Sequence, residues 1–283
     1  MARSSGIAAS ARGLGLHDHV CWSYDDGDGF RRRAREFLAE GLALGQRVEY
    51  IADDSADRLA ADLRKNADLG QALRAGAARV VAARDLYPPD AVIEPAEQVA
   101  AYAAATEKAL SDGYTGLRVA IDVTGLARKP RQREAFARYE HLIDQYMTTR
   151  PFAALCGYHR PELGEHTVAE LACLHPTTNS RTAPFRLYAS TDGEYSAELA
   201  GELDLMGAEL FPLALRRTRP SARRGRVLLD AARVSFVDHR SLIALDDHAR
   251  EHGTTVVLRT GLSTPARVIA ALQLRSVRAE AAG

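Results

Sequence analysis

Short apolar runs alternate with amphipathic stretches along the first half of the chain. The runs at 20–24, 47–52, 78–82, 117–123 and 152–157 are short and mostly apolar between amphipathic stretches, so they predict strands. Between them apolar positions recur every three or four residues. Phe30, Ala34, Phe37, Leu38 and Leu42 share one helical face, and Gly45 ends that helix. A helix is expected to begin at 57–63, and another spans 95–110, with Pro95 in its first turn and Gly113 beyond its end. Phe136, Tyr139, Ile143 and Met147 form one stripe over 132–147. Strands that alternate with helices predict an α/β domain with a mostly parallel sheet, covered on both faces.

The second half alternates likewise, in shorter pieces. Strands are predicted at 185–188, 195–199, 227–229 and 255–258, with a further apolar step at 234–237. Helices are predicted at 205–217, where Pro212 must kink the helix or move its start, at 240–251, and from Thr264-Pro265 to Leu272. The stretch 175–184 is rich in Thr, Asn, Ser and Pro and separates the halves. The expected division is a flexible arm at 1–13, a domain at 14–178, a linker at 179–184 and a smaller α/β domain at 185–279.

Length agrees with two domains, since 283 residues is about twice the ordinary domain size. Thirty-seven basic and 37 acidic side chains cancel, so no global field draws the chain to nucleic acid or to an anionic membrane. No apolar run reaches the length of a membrane span, and the first residues lack the apolar core of a secretory signal. The three cysteines form no even framework. A reduced, cytoplasmic protein is expected, with a homo-oligomer left open.

The segment His19–Tyr24, the following loop and helix, and Gly45-Gln46-Arg47 before the next strand resemble the opening of a RecA/KaiC-like fold, that of the circadian-clock ATPase family. A phosphate-binding loop needs Lys and Ser/Thr behind its glycines. The loop 24–31 has neither and carries Asp25, Asp26 and Asp28 where phosphates would lie, so it reads as a degenerate P-loop that repels a triphosphate. In that resemblance Asp122 falls at the acidic end of the Walker B strand. It would hold a metal or polar ligand at the sheet's C-terminal edge, or simply cap the next helix. Asp18-His19-Val20-Cys21, Tyr139-Glu140, Leu155-Cys156-Gly157-Tyr158 and Leu174-His175-Pro176 resemble the MEDS family, the methanogen/methylotroph sensory domain, over about 14–178. The resemblance implies a ligand-sensing module rather than an enzyme. His19, Cys21, Tyr24, Asp25, Asp26, Asp28 and Asp122 are its candidate ligand-binding residues; the ligand and any cofactor are unknown.

His17, His19 and Cys21 alternate, so an extended strand puts them on one face with metal- or haem-ligating side chains. A fourth ligand could come from Cys156, His159, Cys173 or His175. Their spacing matches no established site, and buried cysteines and lone histidines also serve packing.

Gly201-Glu202-Leu203-Asp204 and the stretch from Gly225 to Leu245 resemble the STAS domain of anti-sigma factor antagonists, over roughly 183–279. Arg240 falls where that family carries its phosphorylated serine, with His239 and Ser241 on either side. Arginine accepts no phosphoryl group. The resemblance therefore implies a partner-binding surface at Asp238, His239, Arg240 and Ser241 without the usual switch. Its partner would be an anti-sigma factor or a kinase-fold regulator. The expected function is a signalling protein that couples sensing in one half to partner binding in the other. A metal- or haem-binding sensor and a divergent nucleotide-binding ATPase are the alternatives.

Overall fold

The computed structural model describes residues 3–282. They fall into two units. One runs to Val168 and takes in Pro176–Ser180; the other comprises Ala169–His175 and the chain from Arg181 onward.

Seven strands build the first unit: β1 (Gly6–Ile7), β2 (His19–Tyr24), β3 (Arg47–Ala52), β4 (Ala78–Ala82), β5 (Leu117–Asp122), β6 (Phe152–His159) and β7 (Thr177–Thr178). Their order is β1-β7-β2-β6-β5-β3-β4, and every pairing is parallel. In β5 and β6 all but the last residue is buried, the burial expected of a parallel sheet covered on both faces. The helix Gly27–Ala43 buries Phe30, Ala34, Phe37 and Leu38, the face read from the sequence. The helices Pro95–Ser111 and Pro130–Met147 both start on proline, whose missing N–H costs nothing there.

Arg118 of β5 is fully buried. Its guanidinium donates to the Phe37 carbonyl at 3.1 Å and the Leu14 carbonyl at 2.6 Å, and lies 4.5 Å over the Phe37 ring. Gly41 makes the room: a Cβ there would sit 2.6 Å from Arg118 Cδ. The guanidinium can be buried because carbonyls accept hydrogen bonds from its N–H groups.

The second unit has a mixed sheet of five strands: β8 (Phe185–Tyr188), β9 (Ala197–Leu203), β10 (Arg226–Val237), β11 (Thr255–Thr260) and β12 (Val277–Ala281). The order is β12-β11-β10-β9-β8, antiparallel only between β8 and β9. The helices Leu210–Thr218, His239–Glu251 and Thr264–Ala271 complete it. Phe185 packs edge-on against Phe211 at 5.3 Å. Among the described residues no helix is long and apolar enough to cross a membrane.

Several expectations change. The arm expected to be flexible is ordered from Arg3, and residues 1 and 2 lie outside the described residues. Arg3 pairs with Asp144, Ser4 N donates to Asp18 Oδ1 at 2.6 Å, β1 pairs with β7, and Ala11 is fully buried. Small side chains buried this way leave no apolar run, and the anchoring carboxylate lies 141 residues away. The runs at 227–229 and 234–237 are one strand, β10, with register shifts between Asp230 and Arg233 and between Val234 and Phe236. Pro212 falls in the first turn of Leu210–Thr218, behind a short 3-10 turn, so no kink is needed. The helix Ala67–Ala75 went unread, although Asn66 caps it and Gly76 closes it in the left-handed region.

Gly157 of β6 faces Phe30, and a Cβ there would lie 2.4 Å from the ring. Gly157→Ala is expected to cost about 1–3 kcal/mol through overpacking. Gly125→Ala, whose methyl would meet only the Arg128 guanidinium at 3.7 Å, should stay within about 0.5 kcal/mol. Urea midpoints for the two variants make the comparison.

Candidate functional site

Strands β2, β5 and β6 end at one edge of the first sheet, on Tyr24, Asp122 and His159. The Tyr24 hydroxyl donates to Asp122 Oδ2 at 2.8 Å, and Asp122 Oδ1 accepts from Thr124 N at 3.0 Å. The Tyr24 ring stacks between Phe30, at 4.9 Å, and His159, at 5.2 Å. Burial, and then the Asp122 charge, push the Tyr24 phenol far up, so it stays a donor. Beside this pair a cleft of about 310 Å³ opens, walled also by Asp53, Arg84, Tyr87, Arg128 and Glu162. Arg128 pairs with Glu162 and approaches Asp53 at 3.9 Å. Charges of both signs therefore face one small volume at the C-terminal edge of a parallel sheet, where such folds hold ligands.

The three acidic residues of the preceding loop do not converge. Asp25 takes both forks of Arg160, at 2.7 and 2.5 Å. Asp26 caps the helix Gly27–Ala43 by accepting from Gly29 N at 2.6 Å. Asp28 pairs with Arg31 at 3.0 Å. A side-chain carboxylate thus takes up a free amide at this helix start.

A second polar cluster lies inside the unit. His19 opens β2 and is fully buried. Its Nδ1 lies 2.9 Å from Asp144 Oδ1 and its Nε2 lies 2.9 Å from Glu140 Oε2. Glu140 and Asp144 stand one turn apart on Pro130–Met147, so one helix face delivers both carboxylates. Cys156 Sγ is 3.6 Å from His19 Nε2, and the Tyr158 hydroxyl donates to Glu140 Oε1 at 3.0 Å. Burial alone would lower the His19 pKa; the hydrogen bonds and charges of Asp144 and Glu140 outweigh it and raise it to about 9. Burial likewise opposes ionised Asp144, but the Arg3 charge and the His19 bond hold its carboxyl well below the usual range. Burial and the Glu140 charge push the Cys156 thiol well up. The neighbouring apolar interior, lined by Tyr102, Phe136, Tyr139 and Ile143 among others, has only about 10 Å³ free. That is roughly the space of one water molecule.

The expected trio His17, His19 and Cys21 is not brought together. His17 precedes β2 and its Nδ1 meets the Met147 carbonyl at 2.8 Å. Cys21 is buried opposite Cys156 in the ladder, outside the group of ligating atoms that contains His19, Glu140 and Cys156. Trp22 is core, with the Arg33 guanidinium 5.6 Å from its ring. Glu140 and Asp144 were absent from the expected site. Two acidic side chains on the apolar stripe of one helix were the available signal.

In the second unit Asp238 caps His239–Glu251 by accepting from Ser241 N at 2.8 Å. His239 and Arg240 are exposed, and Ser241 is 2 % exposed. Cys173 Sγ donates to the Glu170 carbonyl at 3.2 Å, and His175 Nδ1 lies 2.9 Å from the Leu171 carbonyl.

The profile of the MEthanogen/methylotroph, DcmR Sensory domain, MEDS, matches residues 18–176, more than half of the chain. The chain belongs to the MEDS family. No curated protein matches it. The match spans β2 to β6 and contains both the edge cleft and the buried His19 cluster. It ends before β8, so the second sheet lies outside it. MEDS is a sensory family, which agrees with a sensing role for the first unit.

His141, next to Glu140 in the MEDS unit, is fully buried, and burial lowers its pKa to about 4. The unfolded chain takes up this proton first as pH falls, near pH 6.5. The contribution is complete above that value and is lost as pH falls towards about 4. Between pH 7 and 4.5 the His141 share of the loss is expected to be about 2–3 kcal/mol. Urea midpoints at the two pH values, compared between wild type and His141→Gln, should show a shallower loss in the variant.

Proposed function

We propose that the MEDS unit senses a small polar organic molecule in the cleft at its sheet edge, and that the second unit docks a regulatory protein. The observation that carries the reading is the Tyr24–Asp122 pair, joined at 2.8 Å on the wall of a cleft of about 310 Å³ lined by charges of both signs. Such a wall fits a ligand that both donates and accepts hydrogen bonds. The loop before the helix has no lysine and a capping carboxylate at the helix start, which supports recognition without phosphoryl transfer.

The second unit's STAS-like reading draws support from its mixed sheet and from one end of that sheet. Leu203 ends β9 opposite Val237 at the end of β10, and Asp238 N donates to the Leu203 carbonyl at 2.8 Å. Phe236 near the end of β10, and Leu205, Met206 and Ile243 in the segments that follow these strands, are exposed apolar side chains, and the exposed His239 and Arg240 follow β10 directly. An anti-sigma factor or a kinase-fold regulator is the proposed partner, in the cytoplasm. Ser241 is buried and Arg240 cannot be phosphorylated, so control comes from the sensed ligand. The ligand must bind the two signalling states with different affinity.

Native mass spectrometry of the purified full chain, followed by calorimetry with the compound it retains, tests the sensor. Asp122→Ala and Tyr24→Phe are expected to weaken binding at least tenfold with unchanged circular dichroism; full affinity in both variants would refute the cleft as the site. Tight magnesium–ATP binding lost in Asp122→Ala would replace the reading with the ATPase one. Pull-down by the doubly substituted Met206→Glu, Phe236→Glu chain should lose the partner, whereas Ser241→Ala should retain it.

A further inference from the structure

We infer that His19, Glu140 and Cys156 bind a divalent transition-metal ion of the zinc type inside the MEDS unit, separately from the edge cleft. Three elements deliver the three donors: β2, the helix Pro130–Met147 and β6. Their ligating atoms lie within 4.8 Å of one another. His19 Nε2 is 3.6 Å from Cys156 Sγ and 2.9 Å from Glu140 Oε2. Tetrahedral zinc, with bonds of about 2.0–2.1 Å to nitrogen and about 2.3 Å to sulfur, needs nitrogen and sulfur about 3.5 Å apart. The nitrogen–sulfur pair is therefore already at that spacing, and the carboxylate has only to withdraw by a few tenths of an ångström.

The surroundings orient each donor. Asp144 Oδ1 takes the Nδ1 side of His19 at 2.9 Å, which turns Nε2 inward. Carboxylate–histidine–metal chains are built this way. The Tyr158 hydroxyl holds Glu140 Oε1 at 3.0 Å, which leaves Oε2 as the atom facing His19. Nitrogen, oxygen and thiolate together suit zinc, iron(II) or cobalt(II); calcium and magnesium prefer oxygen alone.

Binding balances in charge and protons. The Cys156 thiol loses its proton to become a thiolate, and His19 ligates through an Nε2 that carries no proton. The ion enters as the thiol proton leaves. The added 2+ then meets one thiolate and the Glu140 carboxylate, so the centre is neutral. His19, Glu140 and Cys156 are each no more than 4 % exposed, so the ion enters as the chain folds or as it opens locally.

The full chain, unfolded with a chelator and refolded with cobalt(II) chloride, provides the test. The expected result is one equivalent of cobalt with a thiolate charge-transfer band in the near ultraviolet, displaced by zinc. Cys156→Ser should abolish the band, His19→Gln should weaken binding at least tenfold, and Cys173→Ser should leave both intact. A band that survives Cys156→Ser overturns the site. X-ray absorption of the zinc-loaded wild-type chain needs no variant. One sulfur at about 2.3 Å with nitrogen or oxygen at about 2.0–2.2 Å supports the site; a shell of nitrogen and oxygen alone, or no retained zinc, refutes it.

Discussion

A histidine that carries a proton in a dry interior has to be paid for by its neighbours, and in the MEDS unit the neighbours come from across the chain. His19 has Asp144 on one ring nitrogen and Glu140 on the other, both at 2.9 Å. Arg3 pairs with Asp144, and Tyr158 holds Glu140. Removing one member of a buried ion pair typically costs about 3–5 kcal/mol, because the other is left without a counter-charge. The first described residues, the strand β2, the helix Pro130–Met147 and the central strand β6 are thus fastened at one point. The same point helps to hold the chain from Arg3 onward against the sheet.

The MEDS unit separates two kinds of polar chemistry. At the sheet edge, side chains of both signs border an open cleft. In the interior, the polar atoms converge among aromatic side chains with almost no free volume. Low dielectric strengthens every contact there and penalises every missing one. The edge suits reversible recognition. The interior suits a fixed set of donors.

The helix starts divide similarly. Asp26 in the first unit and Asp238 in the second each accept from an amide of the turn they begin, Gly29 N and Ser241 N. Each occupies a spot where a phosphate is the natural alternative. In the second unit the residue after the cap's immediate neighbour is Arg240, and the only hydroxyl of that turn, Ser241, is buried. These carboxylates hold the helix starts in place.

Much of the architecture was legible because it is local. Short apolar runs set the strands, and the spacing of Phe30, Ala34, Phe37 and Leu38 set a helix face that the structure buries. Two-residue strands such as β1 and β7 were not legible, since a period needs more residues than they have. Charged, small-residue β12 is a strand because β11 offers it a free edge. Among candidate residues, Tyr24 and Asp122 do meet at the edge, while Asp25, Asp26 and Asp28 disperse to separate partners.

The sequence by itself determined the α/β class, the helix faces, the MEDS motifs, and the absence of lysine, serine and threonine from the loop between β2 and its helix. These follow from residue type and short-range spacing, which the chain carries wherever it folds. Only the tertiary structure decided that His19 answers to Glu140, Asp144 and Cys156 rather than to His17 and Cys21. Strand order, which no local pattern encodes, places β2 beside β6, and helix packing brings residues more than 100 positions apart within 4 Å.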